Sequence, residues 1–177
     1  MLATIMYILG GVILLVVFLG VIAPKNYHVS RSIQINRPLP EVFNYLKFLK
    51  NQDEWSPWFQ KDPNIKKGLK GIDGSIGAVS WWEGNKEVGS GEQEIKRILS
   101  NETIETELRF IKPFKSTSEA YIKVEKVLPE TTTVVWGFSG LYKFPMNIFM
   151  IFMNMDKAVG KDFESGLSDL KRILESE

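Results

Sequence analysis

The chain has 177 residues, and its 22 Lys and Arg against 21 Asp and Glu leave a formal net charge of +1. This length allows one domain with a core of ordinary size plus an appendage, and the net charge provides no strong field that would favour nucleic acid or anionic lipid. The absence of cysteine excludes disulfides, thiol catalysis and cysteine metal sites. A single histidine, His28, excludes a histidine-rich metal site. We therefore expect neither a metal nor a cofactor.

The first segment, residues 2–22, is apolar throughout and carries no charged side chain. It is long enough to span a bilayer as a helix. A cleaved signal peptide and a buried core helix are the alternatives. A signal peptide normally has a basic n-region, which is missing before Ile5, and Pro24 follows Ala23 where a peptidase would cut. We interpret residues 1–24 as an uncleaved transmembrane anchor and residues 25–177 as one domain.

The basic residues nearest the helix lie on its C-terminal side. Lys25, Arg31 and Arg37 follow it, whereas only the α-amine precedes it. The positive-inside rule then places the domain in the cytoplasm, on a single-pass membrane protein.

The middle of the chain has the pattern of strands. Residues 27–36 alternate polar and apolar side chains, and residues 41–49 fit a short helix that buries Val42, Phe43 and Leu46. Further strands are predicted at 78–83, 87–99, 103–112, 116–127 and 131–141, with a tight turn at Gly84–Asn85 and a bulge or a bend near Gly89 and Gly91. Because no βαβ alternation occurs, the pattern indicates an α+β fold with an antiparallel sheet.

The C-terminal segment, residues 144–177, is predicted to be one long helix. Apolar residues recur at steps of three and four along its second half, including Phe163, Leu167 and Leu170. Pro145 suits a first helical turn. Within residues 146–155, the six residues 148–153 are apolar around the whole circumference, so this segment needs cover on several sides or lines a cavity.

Several segments together resemble a known family. They are VSRSIQIN from Val29, EVFNYL from Glu41, WSPW from Trp55, DP from Asp62, IGAVSWWEGN from Ile76, VGSGEQEI from Val88 and DFESGLSDLK from Asp162. These segments resemble the membrane-anchored bacterial branch of the SRPBCC, or polyketide cyclase/dehydrase-like, proteins. That group belongs to the START-like helix-grip superfamily, which includes the birch pollen allergen.

The resemblance implies a helix-grip fold, in which a curved antiparallel sheet wraps around the long C-terminal helix and encloses a mostly apolar cavity. Strand alternation and the apolar helix segment nominate the cavity residues. They are Trp55, Trp58, one of Trp81 and Trp82, Leu108, Phe110, Val134, Trp136, Phe138, Phe149, Phe152 and Met153. The charged groups considered for the same site are Glu83, Glu87, Arg109 and Asp156.

Three functions fit this interpretation. The first is a membrane-anchored module that binds a hydrophobic small molecule or a lipid. The alternative is an enzyme of the polyketide cyclase/dehydratase type, which would need an acid or base with a shifted pKa inside the pocket. The third is a protein-interaction role like that of the chaperone-activating relatives. The sequence leaves the ligand and the oligomeric state open.

Overall fold

Seven antiparallel strands form one sheet in the computed structural model, which describes residues 1–176. The strand order is β1-β7-β6-β5-β4-β3-β2, so every strand pairs with its chain neighbour except β1, which pairs with β7. The strands are β1 Asn26–Ile35, β2 Lys66–Lys70, β3 Val79–Glu83, β4 Ser90–Leu99, β5 Thr103–Lys112, β6 Ser116–Leu128 and β7 Thr131–Leu141.

Five α-helices accompany the sheet in the described residues. They are α1 Leu2–Ile22, α2 Leu39–Leu46, α3 Gln52–Trp55, α4 Pro57–Gln60 and α5 Met155–Ser176, with short 3-10 helices at Leu49–Asn51 and Met146–Ile151. The α+β class and the antiparallel sheet are confirmed. Helix α1 is long and apolar enough to cross a membrane, with a mean hydropathy of 2.9, and Gly20 is its one buried residue.

The inner face of the sheet is the face that α5 covers. Alternation places Trp136 and Phe138 of β7 on it, and both rings contact Phe163 of α5. An ion pair fixes α5 to β1, since Arg31 donates to Asp156 at 2.7 Å and to Glu164 at 2.6 Å. Helix α5 therefore packs along β1, the edge strand next to β7, and covers the inner face from that side.

The interior consists of a packed end and an open end. At the packed end, the C-terminal half of α5 and helix α2 fill the space over the sheet, and Ile35, Leu46, Ile95, Leu167 and Leu170 are fully buried there. The predicted burial of Val42 and Phe43 on α2 is confirmed. Toward the other end of the sheet, side chains of α5 and the strands stand apart and leave a cavity.

The prediction of one helix over residues 144–177 is wrong in its first part. Residues Met146–Ile151 form a separate 3-10 helix, and α5 begins only at Met155. Asn154 explains the boundary, because its side-chain oxygen accepts a hydrogen bond from the Lys157 backbone N–H at 3.1 Å, as an N-cap residue does. The Pro145 position therefore starts the 3-10 helix instead of α5.

The predicted two-residue turn at Gly84–Asn85 is also wrong. The β3–β4 connection spans residues 84–89, closed by a backbone hydrogen bond from Gly84 N to Gly89 O at 2.8 Å. The side chain of Asn85 accepts hydrogen bonds from the backbone N–H groups of Glu87 and Val88, which stabilises the longer loop. The predicted bulge is confirmed by a register shift between Ser90 and Gly91.

Candidate ligand-binding cavity

A cavity of about 1610 Å³ lies between the inner sheet face, the α3–α4 region and the N-terminal half of α5. Ligand pockets usually measure about 300–1,000 Å³, so this one has room for a ligand larger than a typical drug. Its lining is predominantly apolar and aromatic. Such a lining binds through surface burial, with polar groups setting orientation.

Stacked aromatic rings form the floor of the cavity. The rings of Trp136 and Phe163 are parallel within 8° with centroids 4.1 Å apart. Trp58 stands edge-on to both, with centroids at 5.6 Å and 5.8 Å. Aromatic pairs prefer this edge-to-face geometry. The three rings therefore form a rigid surface that the buried end of a ligand can contact.

The sheet wall carries a second aromatic pair. Trp82 of β3 and Phe110 of β5 lie 6.1 Å apart in T-shaped geometry, with Leu108 beside them on the lining. Between them on β4 is Gly91, where an added Cβ would lie 2.6 Å from the Trp82 ring. The absence of a side chain at Gly91 therefore creates the space for Trp82 on the inner face.

Neutral polar groups line part of the wall. Gln93 donates from Nε2 to Thr106 Oγ1 at 3.1 Å, and the hydroxyls of Tyr27 and Ser118 are hydrogen-bonded at 2.6 Å. Burial raises the pKa of Tyr27, and burial with the neighbouring Tyr27 raises the pKa of Tyr142 to about 12. These groups are therefore uncharged at neutral pH and offer hydrogen bonds to a polar group of a ligand.

The mouth of the cavity lies at the end of the sheet where α1 joins β1. Four of its lining residues, Phe114, Leu141, Phe144 and Met146, are also exposed to solvent. Phe114 comes from the β5–β6 loop, Leu141 is the last residue of β7, and Phe144 and Met146 belong to the segment after it. Because they are large and apolar, the apolar lining continues out to the molecular surface.

The structure places part of the nominated set on the cavity lining. Trp58, Trp82, Leu108, Phe110, Trp136 and Phe138 line it. Trp55 does not, because it is 0 % exposed and packs behind the floor against Trp136 at 4.8 Å. Val134 belongs to the packed core. Trp81 precedes Trp82 on the same strand, so its side chain points to the opposite, outer face of the sheet, where it lies opposite Gly68.

Phe149, Phe152 and Met153 lie outside the cavity. They were placed on its wall on the assumption that residues 146–155 continue the long helix. In the structure they belong to the 3-10 helix and the link that follows it, and Phe149 and Phe152 are 59 % and 83 % exposed. Phe152 and Met153 instead border a shallow surface pocket beside Pro24.

The charged candidates are all held in ion pairs. Glu83 pairs with Lys112 at 3.8 Å and Glu87, at the cavity rim, with Lys61 at 3.7 Å. Asp156 pairs with Arg31, and the hydrogen bond from Arg31 lowers the pKa of the carboxyl. Each of these three carboxylates is therefore held by a cation and is not presented free to the cavity.

Arg109 belongs to a cluster on the outer face of the sheet. Its backbone forms part of the cavity wall, but its guanidinium donates to Glu94 at 2.6 Å, to Glu107 at 2.7 Å and to Glu92 at 3.1 Å. Hydrogen bonding to these carboxylates raises the pKa of Arg109 and lowers that of Glu94. In the described residues, no group of three His, Asp or Glu side chains could hold a metal ion.

Sequence reasoning missed several lining residues. The apolar face of α5 includes Met155, Val159 and Phe163, which line the cavity. The same face also packs into the core, so helical periodicity alone does not distinguish cavity residues from core residues. Tyr27 and Ser118 occupy inner-face positions of β1 and β6. A strict count of alternation on both strands would have found them.

Comparisons with known proteins bear on the fold. No family model and no curated protein matches the chain. Among solved structures, a Nitrosospira multiformis protein is 18% identical over 84% of this chain and 96% of its own, with a TM-score of 0.60. The Aha1 dimer from Colwellia psychrerythraea is 14% identical over 84% of this chain and 96% of its own, at 0.57. The ginseng major latex-like protein 151 from Panax ginseng is 12% identical over 85% of this chain and 98% of its own, with a TM-score of 0.59.

Ara h 8.0201 is also similar, at 13% identity over 85% of this chain and 96% of that chain, with a TM-score of 0.55. At such low identities the likeness shows the fold alone. The chain therefore has the helix-grip fold, with an apolar helix placed before its first strand.

Proposed function

We propose that this protein is a membrane-anchored module that binds a hydrophobic small molecule or a lipid in its cavity. The observation that carries the proposal is the size and apolar lining of the cavity, about 1610 Å³ over the Trp136–Phe163 floor. Burying an acyl chain contributes about 0.8 kcal/mol per CH₂. Micromolar affinity corresponds to about 8.2 kcal/mol, so a chain of ordinary length supplies it without any ion pair.

The anchor is helix α1, with the domain on the cytoplasmic side. Retention of α1 is supported by Asn147, which is 0 % exposed and donates from Nδ2 to the Gly20 carbonyl at 2.7 Å. Removal of α1 would leave this amide without that partner, and an unsatisfied buried polar group costs about 1–3 kcal/mol. Such a contact fits a helix that stays with the domain better than a cleaved signal.

The enzymatic alternative has less support. It needs an acid or base in the pocket, whereas Glu83, Glu87 and Asp156 are paired with cations near the surface. The groups on the lining are mainly neutral hydroxyls and amides, which suit binding and orientation. The proposal is therefore binding without a chemical step.

Native mass spectrometry of the full-length protein, purified in mild detergent, tests the proposal. We expect bound lipid or another apolar molecule, and we expect Leu108→Trp, which fills the cavity, to reduce its occupancy. Leu99→Trp is the matched control, because Leu99 is an exposed residue of β4 outside the lining. Equal occupancy in the two variants, or none in the unmodified protein, would contradict the proposal. The intact mass from the same spectra reports whether α1 is retained.

A further inference from the structure

Large apolar side chains are exposed in an unusual concentration around the mouth of the cavity. We name this surface the apolar rim and define it by Phe114, Leu141, Phe144, Met146, Phe149, Ile151, Phe152 and Met153, all of them exposed. Single exposed apolar residues need no explanation, but a contiguous patch marks a contact with another apolar surface. The question is what covers the rim.

The rim is attached to the last turns of α1. Asn147, the second residue of the 3-10 helix, donates a hydrogen bond to the Gly20 carbonyl at 2.7 Å. The Phe144 ring lies over Gly20, where an added Cβ would be 2.4 Å from the ring. The backbone N–H of Tyr142 donates to the Lys25 carbonyl at 2.8 Å. These contacts fix the rim beside the C-terminal end of α1.

The length of α1 sets the depth of the rim in a membrane. At 1.5 Å per residue, its 21 residues span about 31 Å, close to the thickness of a hydrocarbon core. Gly20 lies two residues before the helix end at Ile22, which is about 3 Å along the axis. An element bonded to Gly20 is therefore at the boundary between the hydrocarbon and the headgroups.

The charges around the rim suit anionic headgroups. Lys25, Lys86, Lys115 and Lys143 lie on the segments at this end, and within the described chain none of them has an ion-pair partner. Of the carboxylates at the same end, Glu83, Glu87 and Asp156 are each paired with a cation, whereas Glu119 of β6, also on the cavity lining, has no ion pair within the described chain. Basic residues near an anionic leaflet contribute about 1 kcal/mol each.

We infer that the apolar rim docks on the bilayer in which α1 is inserted, and that the cavity takes an acyl-chain lipid directly from that leaflet. The inference rests on the proposed function and adds the route and the ligand class. Four rim residues, Phe114, Leu141, Phe144 and Met146, also line the cavity. An acyl chain can therefore move from hydrocarbon to the Trp136–Phe163 floor along a continuous apolar surface, without crossing water.

Site-specific fluorescence tests the docking. The chain has no cysteine, so Phe114→Cys and Phe152→Cys each provide a single labelling position on the rim. Leu128→Cys is the control, since Leu128 is exposed at the opposite end of the sheet, in the β6–β7 hairpin. Full-length protein, labelled with an environment-sensitive dye, is reconstituted into liposomes of phosphatidylcholine and phosphatidylglycerol that contain spin-labelled lipid. We expect strong quenching at both rim positions and little at the control.

Lipid uptake is measured separately. Delipidated full-length protein is reconstituted into the same liposomes, and cavity occupancy is followed over time by detergent extraction and native mass spectrometry. We expect the double variant Phe114→Ser/Phe152→Ser to fill at least about tenfold more slowly than Leu128→Ser, because losing about 1.4 kcal/mol of apolar insertion corresponds to tenfold.

The two measurements separate the inference from the proposed function. Rim labels as weakly quenched as the control, in a protein whose cavity still fills, would overturn the docking and leave the binding proposal intact. Quenched rim labels with a cavity that never fills would overturn the lipid-uptake route and the proposed function together. Equal filling rates in the rim and control variants would overturn the route alone.

Discussion

The stacked rings of Trp136 and Phe163, 4.1 Å apart, mark the boundary between the packed end and the open end of the domain. On one side of the pair lie fully buried aliphatic residues such as Val134 and Leu170. On the other side lie the half-buried residues of the cavity wall, such as Leu108. Both ends are built from the same strands and the same face of α5. The cavity begins where side chains of α5 and of the sheet no longer contact each other across the interior.

Two leucine truncations should differ in cost across this boundary. Leu170→Ala removes a fully buried side chain from the packed end and should lower the free energy of unfolding by about 2–5 kcal/mol. Leu108→Ala only enlarges a cavity that is already open, so its cost should be about 1 kcal/mol, for part of one buried side chain. Chemical denaturation of the full-length protein in detergent measures both. Equal losses would mean that the open end is packed in solution.

Periodicity predicted six of the seven strands and the long C-terminal helix, but not β2 or the short helices α3 and α4, and it identified the cavity residues only in part. Strand alternation identified Leu108, Phe110, Trp136 and Phe138 because side chains of period two share a face. It left Trp81 and Trp82 undecided, since each shares its face of β3 with a polar residue, Glu83 beside Trp81 and Ser80 beside Trp82. Register with Gly91 of β4 places Trp82 on the inner face.

The segment after β7 shows why the rest was missed. Residues 146–155 are apolar, which indicated either burial or cavity lining, but a third environment, a membrane surface, has the same composition. Composition also did not show that Asn154 caps α5 and separates it from the 3-10 helix. Because α5 begins after residue 154, Phe149 and Phe152 lie outside the helix and are exposed instead of lining the cavity.

The Arg31–Asp156 pair should make the docking of α5 sensitive to acid. The hydrogen bond from Arg31 holds the pKa of Asp156 below its ordinary value of 3.8. A carboxyl with a lowered folded-state pKa stabilises the fold above its unfolded pKa, and this contribution disappears as pH falls through the folded-state value. Asp156→Asn should therefore lower the melting temperature at pH 7, with a difference from the unmodified protein that shrinks below about pH 4.

Thermal melts in detergent between pH 2.5 and 7 measure this difference. Asp169→Asn is the control on the same helix, since its partner Arg172 is mostly exposed. Surface pairs contribute little, so we expect a smaller change at pH 7 for the control. A penalty for Asp156→Asn that is constant over the whole pH range would contradict the assigned charge interaction.

The tyrosines of the cavity should ionise at a higher pH than a tyrosine in water. Burial, with a smaller effect of the nearby Tyr27, raises the pKa of Tyr142 to about 12 from an ordinary value of 10.0. For a raised folded-state pKa, the associated stability is complete below the unfolded pKa and is lost as pH rises toward 12. Tyr142→Phe should thus make the fold less sensitive to alkali above pH 10.

Ultraviolet titration follows the phenolates directly. The chain has five tyrosines, and we expect the native protein to show a late step that is reduced in Tyr142→Phe and in Tyr27→Phe. In strong denaturant the titration should collapse to one step near pH 10. A native titration identical to the denatured one would show that water reaches both rings freely.

The two neighbouring tryptophans of β3 provide the sharpest test of the cavity. Trp82 lies on the lining beside Phe110, whereas Trp81 faces the outer side opposite Gly68. Titration of the full-length protein with a dibrominated fatty acid, whose bromine atoms quench indole on contact, should quench Trp82. Because Trp58 and Trp136 also line the cavity, we expect Trp82→Phe to remove part of this quenching and Trp81→Phe to leave it nearly unchanged. Replacing Trp82 with Ala should also weaken binding about tenfold, since the loss of about 1.4 kcal/mol of ring contact corresponds to that factor, while Trp81→Ala should not alter the affinity. If both alanine variants bind the acid alike, the ligand does not occupy this cavity.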